Sequence, residues 1–300
     1  MIFPFTQRGK RDHGDVWHAN GDVFIANTAA GTVEVVDGAR LHHKATIADC
    51  PEASGILVAQ DEALVFAAAR GAGKVLVIDP QTTTVRRSVA AGSRPNGMAW
   101  DSLHKHLLVA DVQDNIARLV DPQIGQVIAE VELPGRPRWA VYHQASDRFL
   151  VNIREPACVA VLSADPFALA QQFPVLSPGP HGLDLDQEGR RAFVACDGST
   201  VVTLDLASGR EQARVPIAGP PDAIWHNHQL GRLYVAIAHL GTHDASAGVI
   251  NVVNTHSMTV EEQIPTEPGA HTTAFDAVRQ RLFVFLPSCH VAVYEAREVS

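Results

Sequence analysis

The stretch Asn96-Gly97-Met98-Ala99-Trp100-Asp101-Ser102-Leu103-His104-Lys105-His106-Leu107-Leu108-Val109-Ala110 decides how the chain is read. Residues 96–100 and 107–110 are apolar runs of strand length, and Ser102-Leu103-His104-Lys105 is the turn between them. Working outward, Ile116-Ala117-Arg118-Leu119-Val120-Asp121 supplies a third strand, and residues 126–133 alternate as a fourth that Pro134-Gly135 ends. Short runs of Val, Leu, Ile and Ala bounded by Gly, Pro, Asp and Asn suit a pleated sheet better than a helix. No stretch keeps a helical period long enough to compete.

The same unit recurs about every 42 residues, the length of one four-stranded propeller blade. The anchor after each leading loop is Gly14, Gly55, Gly97, Trp139, Gly182, Ala223 and Thr272. The intervals are roughly 41 to 43 residues, widening to about 49 at the last. The pattern predicts an all-β chain, a seven-bladed β-propeller of four-stranded antiparallel blades, as one domain over residues 1–300. Trp17, Trp100, Tyr142, His226 and Phe275 recur near the end of the first strand and are expected to wedge between neighbouring sheets.

The seventh repeat has text for only three strands, at residues 273–275, 281–285 and 290–294. Ile2-Phe3-Pro4-Phe5 is apolar and has no other partner, so the N-terminal strand is expected to close the last blade as its outermost strand. Pro4 suits an edge, where its missing N–H is not needed.

Leu233-Tyr234-Val235-Ala236 resembles the tyrosine-valine core of YVTN-type propeller repeats. Val75-Leu76-Val77-Ile78-Asp79-Pro80 and Val249-Ile250-Asn251-Val252-Val253-Asn254-Thr255 resemble the third-strand signature of those repeats. The resemblance implies the propeller fold and a range of functions. The wider superfamily includes lactonases, lyases of the streptogramin type and proteins that only bind, and several members depend on a metal.

Composition narrows the range. Of 300 residues, 46% are hydrophobic and 19% charged, so a large core is available. A formal charge of −9 without a basic patch argues against nucleic acid as a partner; the cluster Arg8-Gly9-Lys10-Arg11 reads as a solvated loop. The first residues lack a secretory leader, and no run approaches the roughly 18 apolar residues of a membrane helix. A cytoplasmic protein is the simplest expectation. Cys50, Cys158, Cys196 and Cys289 fall in four different repeats with no Cys-x-x-Cys, which fits free thiols.

Repeat alignment projects distant residues onto one ring around the expected channel mouth. Directly before the anchors stand His13, Ser54, Asn96, Arg138, His181, Asp222 and His271, most of them after a proline or small residue that stiffens the loop. His13, His181, Asp222 and His271 are the candidate ligands of a divalent metal such as zinc, manganese, iron, magnesium or calcium. Arg138 has the two-pronged donor geometry to hold a carboxylate, and Asn96 could orient a carbonyl. His181 and His271 are the candidate catalytic bases. A metal site, a metal-free small-molecule site, and polar groups that merely hold water and cap strands all fit this ring.

Blade six carries an enlarged connection, Ala238-His239-Leu240-Gly241-Thr242-His243-Asp244-Ala245-Ser246-Ala247-Gly248, on the same expected face. Loops of this kind cover binding sites, so His239, His243 and Asp244 are candidate substrate contacts. His104, His106, His226 and His228 fall at the opposite turns, and His42 and His43 on an outer strand. Cys196 and Asp197 end the second strand of blade five near His181, which raises a Cys/His nucleophile as a further candidate. Two classes of function compete. One is a binder of a small polar molecule, carboxylate-bearing in one version, that works as a metal-dependent lactonase-like hydrolase or a lyase. The other is a non-catalytic scaffold for a protein partner, or a ligand sensor.

Overall fold

The structure is a computed structural model that describes residues 1–4, 10–186, 188, 190–240 and 247–297. The described strands form seven four-stranded antiparallel sheets, arranged as a propeller. They fall into two compact units, Met1–Glu132 with Thr272–Ala296, and Leu133–His271 with Arg297.

The first unit holds blade one (Arg11–Trp17, Asp22–Asn27, Thr32–Asp37, His42–Ile47) and blade two (Ala53–Ala59, Leu64–Ala69, Lys74–Asp79, Thr84–Ala90). It also holds blade three (Pro95–Asp101, His106–Asp111, Ile116–Asp121, Gln126–Glu132) and blade seven (Thr273–Asp276, Arg281–Leu286, His290–Glu295). Burial follows strand order within a blade. Asp22–Asn27 is buried at every position, whereas Gln126–Glu132 alternates exposed and half-buried, as an outermost strand with one covered face must. The recurring Asp at the end of the third strand has a local cause. Asp37 Oδ1 accepts from the backbone N–H groups of Ala39 and Arg40, and Asp79 and Asp121 do the same to their own turns.

The second unit holds blade four (Pro137–His143, Arg148–Ile153, Cys158–Ser163, Ala168–Pro174), blade five (Pro180–Asp186, Arg191–Cys196, Thr200–Asp205, Glu211–Pro216) and blade six (Pro221–Asn227, Arg232–Ile237, Gly248–Asn254, Thr259–Thr266). One second-strand position carries a large buried side chain in every blade: Phe24, Phe66, Leu108, Leu150, Phe193, Tyr234 and Phe283. Each contributes about 1.5–3 kcal/mol by leaving water. Two of the predicted wedges pack on these groups, whereas Tyr142 packs on Phe149 of its own blade. Trp100 lies 5.5 Å from Phe66 of the preceding blade, and His226 5.0 Å from Phe193. Trp17 is buried in the core that blades one and two share.

Closure follows the sequence expectation. Ile2–Pro4 pairs antiparallel with His290–Glu295 and is the outermost strand of blade seven. Phe3 is buried among Val16, Phe283, Phe285 and Val291, and Val293 exchanges backbone hydrogen bonds with Met1. Phe5 lies outside the described residues, as do Arg8 and Gly9. His43 sits on the outer strand of blade one against buried Glu34, at 2.9 Å. His104 is held in its turn by Asp101 at 2.7 Å. No helix among the described residues is long and apolar enough to cross a membrane.

Candidate functional site

A bulge at the start of the first strand creates the site. In blade five Pro180 pairs with Cys196, but pairing resumes only at Leu183 with Val194, so His181 and Gly182 face one partner residue between them. Blades four and six repeat this at Pro137/Ala140 and Pro221/Ile224, releasing Arg138 and Asp222 from the ladder. A bulge bends its strand and re-aims the freed side chain. The proline belongs at this first position because the ladder needs no N–H there.

Neighbouring backbone holds each bulge in place. Buried Asn152 donates from Nδ2 to the carbonyls of His181 (3.0 Å) and Gly182 (2.9 Å). A Cβ at Gly182 would lie 2.4 Å from the Asp222 carbonyl oxygen, so only glycine permits that approach. The residues leaving the second strands are tied alongside: the Arg154 N–H donates to the Arg136 carbonyl and the Asp197 N–H to the Gly179 carbonyl. Gly179 has φ +68°, and a Cβ there would lie 2.7 Å from the Asp197 Cβ.

In the second unit these ties assemble a line in which two carboxylates alternate with a guanidinium and two imidazoles. Arg154 Nη2 is 2.8 Å from Asp197 Oδ2, and Asp197 Oδ1 is 3.0 Å from His181 Nδ1. His181 Nε2 is 3.3 Å from Asp222 Oδ1, and Asp222 Oδ2 is 3.9 Å from His271 Nε2. His271 Nδ1 lies 2.7 Å from the Gly269 carbonyl, which can only accept, so that nitrogen carries a proton. Desolvation pushes the Asp197 carboxyl up, but the His181 hydrogen bond and the charges of His181, Arg154 and Arg138 outweigh it and hold it below the usual carboxylate range.

Arg138 stands apart from this line. Its guanidinium makes no ion pair or hydrogen bond to a described residue, and its Nε is buried. Burial, then Arg136 and Arg154, lower its pKa, and Asp222 and Asp197 offset this only in part. The group stays charged, since no protein environment readily deprotonates a guanidinium. It is a partly desolvated cation whose donors meet no acceptor among the described residues.

Of the residues expected from the sequence, Arg138, His181, Asp222 and His271 belong to the second unit, and the line joins the last three. His239 is in the same unit but exposed, at the base of its loop, and His243 and Asp244 lie outside the described residues. His13 and Asn96 belong to the first unit. There the ladder corrects the register. Arg11 pairs with Asn27 as Pro180 pairs with Cys196, so Asp12, not His13, stands at the position of His181. Blade one has Arg11 where blades three to six have Pro95, Pro137, Pro180 and Pro221, and Gly14 is a misleading anchor because it falls one step later in the ladder. His13 Nε2 lies 3.4 Å from Asp12 Oδ1, and Asn96 Oδ1 accepts from Arg70 at 3.3 Å. The residues leaving the second strands, Arg70 and Arg154, were missed. Their only sequence signal is a charged residue directly after a buried apolar strand.

The chemistry these groups allow is specific. Both ring nitrogens of His181 face carboxylates, Nδ1 in a hydrogen bond with Asp197 and Nε2 at 3.3 Å from Asp222. In His271 the Gly269 carbonyl holds the proton on Nδ1, as a carbonyl does behind a metal-binding or proton-accepting imidazole, and Nε2 lies 3.9 Å from Asp222 Oδ2. His271 and Asp222 offer two ligand atoms, fewer than the three or four a zinc site takes. Burial pushes the Cys196 thiol up to about 12, the reverse of what a cysteine nucleophile needs.

No protein-family model matches the chain, and no curated protein sequence matches it. Among solved structures it is similar to Kuenenia stuttgartiensis hydrazine synthase, with a TM-score of 0.82 and 14% identity over 98% of this chain and 97% of that one. It is similar also to a chain in the crystal structure of the mitotic checkpoint complex, with a TM-score of 0.82 and 10% identity over 99% of this chain and 91% of that one. At these identities the likeness is one of fold: all three chains share the seven-bladed β-propeller class.

Proposed function

We propose that this protein binds a small carboxylate-bearing molecule at the bulged strand starts of its second unit. The supporting observation is Arg138, a charged and partly desolvated guanidinium with no ion pair or hydrogen bond to a described residue, beside carboxylates already engaged by His181 and Arg154. A planar carboxylate offers it a bidentate, charge-assisted pair. In this reading His271 acts on the bound molecule as a base through Nε2, with Asp222 stabilising the imidazolium that forms. The chemistry is proton abstraction or hydrolysis of the lactonase or lyase kind that the YVTN-like strand motifs suggest. Four free cysteines accord with a reducing, cytoplasmic setting.

The test is calorimetric titration with acetate, lactate, malate and citrate. At least one should bind, and Arg138→Ala should weaken it roughly 10- to 100-fold, with Arg138→Lys restoring only part. Failure of all four to bind, or an unchanged affinity in Arg138→Ala, overturns the reading. A metal-dependent version is favoured by the Nδ1 bond of His271 alone. It requires that dialysis against a chelator abolish turnover and that zinc or manganese restore it. The non-catalytic alternative takes its support from the neighbour that is part of a checkpoint complex. It predicts that His271→Ala leaves binding of a protein partner unchanged.

A further inference from the structure

The first unit contains a groove of about 780 Å³ between the Ala30-Gly31-Thr32 turn of blade one and the outer half of blade two. Comparison of successive blades shows why it is open. In blade three, Arg118 reaches Asp111 (3.4 Å), Asp114 (3.0 Å) and Glu130 (2.8 Å), and Nη1 donates to the Ala91 carbonyl that follows blade two. That network fills the wedge between blades two and three. Blade two has Ala69, Ala72, Leu76 and Ser88 at the four corresponding positions. Ala69 pairs with Lys74 as Asp111 pairs with Ile116, and Leu76 with Ser88 as Arg118 with Glu130. All four short or apolar replacements line the groove.

What remains has its own chemistry. Leu76, Val85, Pro51 and the alanines make an apolar floor, and Lys74 and Asp49 are the charged lining groups. Both are exposed, and neither side chain makes an ion pair or hydrogen bond to a described residue. A fatty carboxylate would suit Lys74 but meet Asp49, and an apolar amine would meet the converse repulsion. A ligand with both charges and an apolar body satisfies the whole lining, and the volume is that of a site for a molecule of several hundred daltons. We infer that the groove between blades one and two binds a short apolar peptide with free ends, its carboxylate on Lys74 and its ammonium on Asp49. This site is separate from Arg138 and does not depend on the function proposed above.

The experiment is calorimetric titration of the full chain with trileucine, free and with acetylated and amidated ends. Free trileucine should bind, and blocking its ends should weaken binding roughly tenfold. Lys74→Met and Asp49→Asn should each weaken the free peptide by about 3- to 5-fold and leave the blocked peptide unaffected. Copying the blade-three network with Ala72→Asp, Leu76→Arg and Ser88→Glu should abolish binding, while Arg138→Ala should not change it. If free trileucine does not bind at millimolar concentration, or binds the two single variants as it binds the wild type, the inference is wrong. Those surface variants decide the matter should the triple variant not fold.

Discussion

Asp184 ties two sheets of the second unit together with one carboxylate. Its Oδ2 accepts from the His226 N–H of the next blade at 2.6 Å and its Oδ1 from the Leu185 N–H at 2.8 Å. Asp15 plays the same part in the first unit, toward Val58 and Val16. Desolvation nevertheless pushes the Asp184 carboxyl up to about 6, against the two backbone hydrogen bonds that favour its charge. The folded state therefore holds this proton more tightly than the unfolded chain does. The stability it contributes is full below the unfolded value of 3.8 and is lost as pH rises to about 6. Asp184→Asn should remove that slope. Between pH 4 and 7 the wild type should lose on the order of 2 kcal/mol relative to the variant, measured by urea unfolding at each pH. A difference that does not vary with pH would refute this. At this scale the residue types of the site were legible and their exact partners were not. His181 and Asp222 could be placed by counting from a proline, whereas blade one, which starts with Arg11, invited a one-residue slip from Asp12 to His13.

At the scale of the element, the closing strand shows how little chain can matter. Ile2–Pro4 contributes the burial of Phe3 and the backbone exchange with Val293. Deleting residues 1–4 should lower unfolding free energy by on the order of 2–4 kcal/mol and shift the urea midpoint accordingly. An unchanged midpoint would mean that the strand contributes nothing to stability. The strand was readable because an apolar segment without a partner and a last repeat short of one strand require each other. The bulges were not readable. Nothing in Pro-His-Gly or Pro-Arg-Trp announces that two residues will face one, because the bulge is a property of the pair of strands. The line through Arg154, Asp197, His181, Asp222 and His271 depends on those bulges: the repeat alignment gathered its histidines and Asp222 on one ring, but neither Arg154 nor the order of contacts could be read from it.

On the scale of the whole molecule, stability is a sum over similar sheets and the cores they share, with no disulfide to hold them. Burial pushes the thiols of Cys50, Cys158 and Cys196 up to about 12, 11 and 12, and leaves only Cys289 half-buried. A chromogenic disulfide reagent at neutral pH should therefore titrate about one thiol per native chain, and all four after denaturation. Two or more fast native thiols would show that the sheets open locally under native conditions. The repeat length, the number of blades, the order of strands and the closing of the last blade were determined by the sequence alone. Each of these is periodic and local, and apolar alternation with turn residues encodes it directly. The contacts each charged group makes, the want of a described partner for the Arg138 guanidinium and the wedge that stays open were decided only by the tertiary structure. Those depend on side chains from different sheets, tens of residues apart, and no local pattern carries the distance between them.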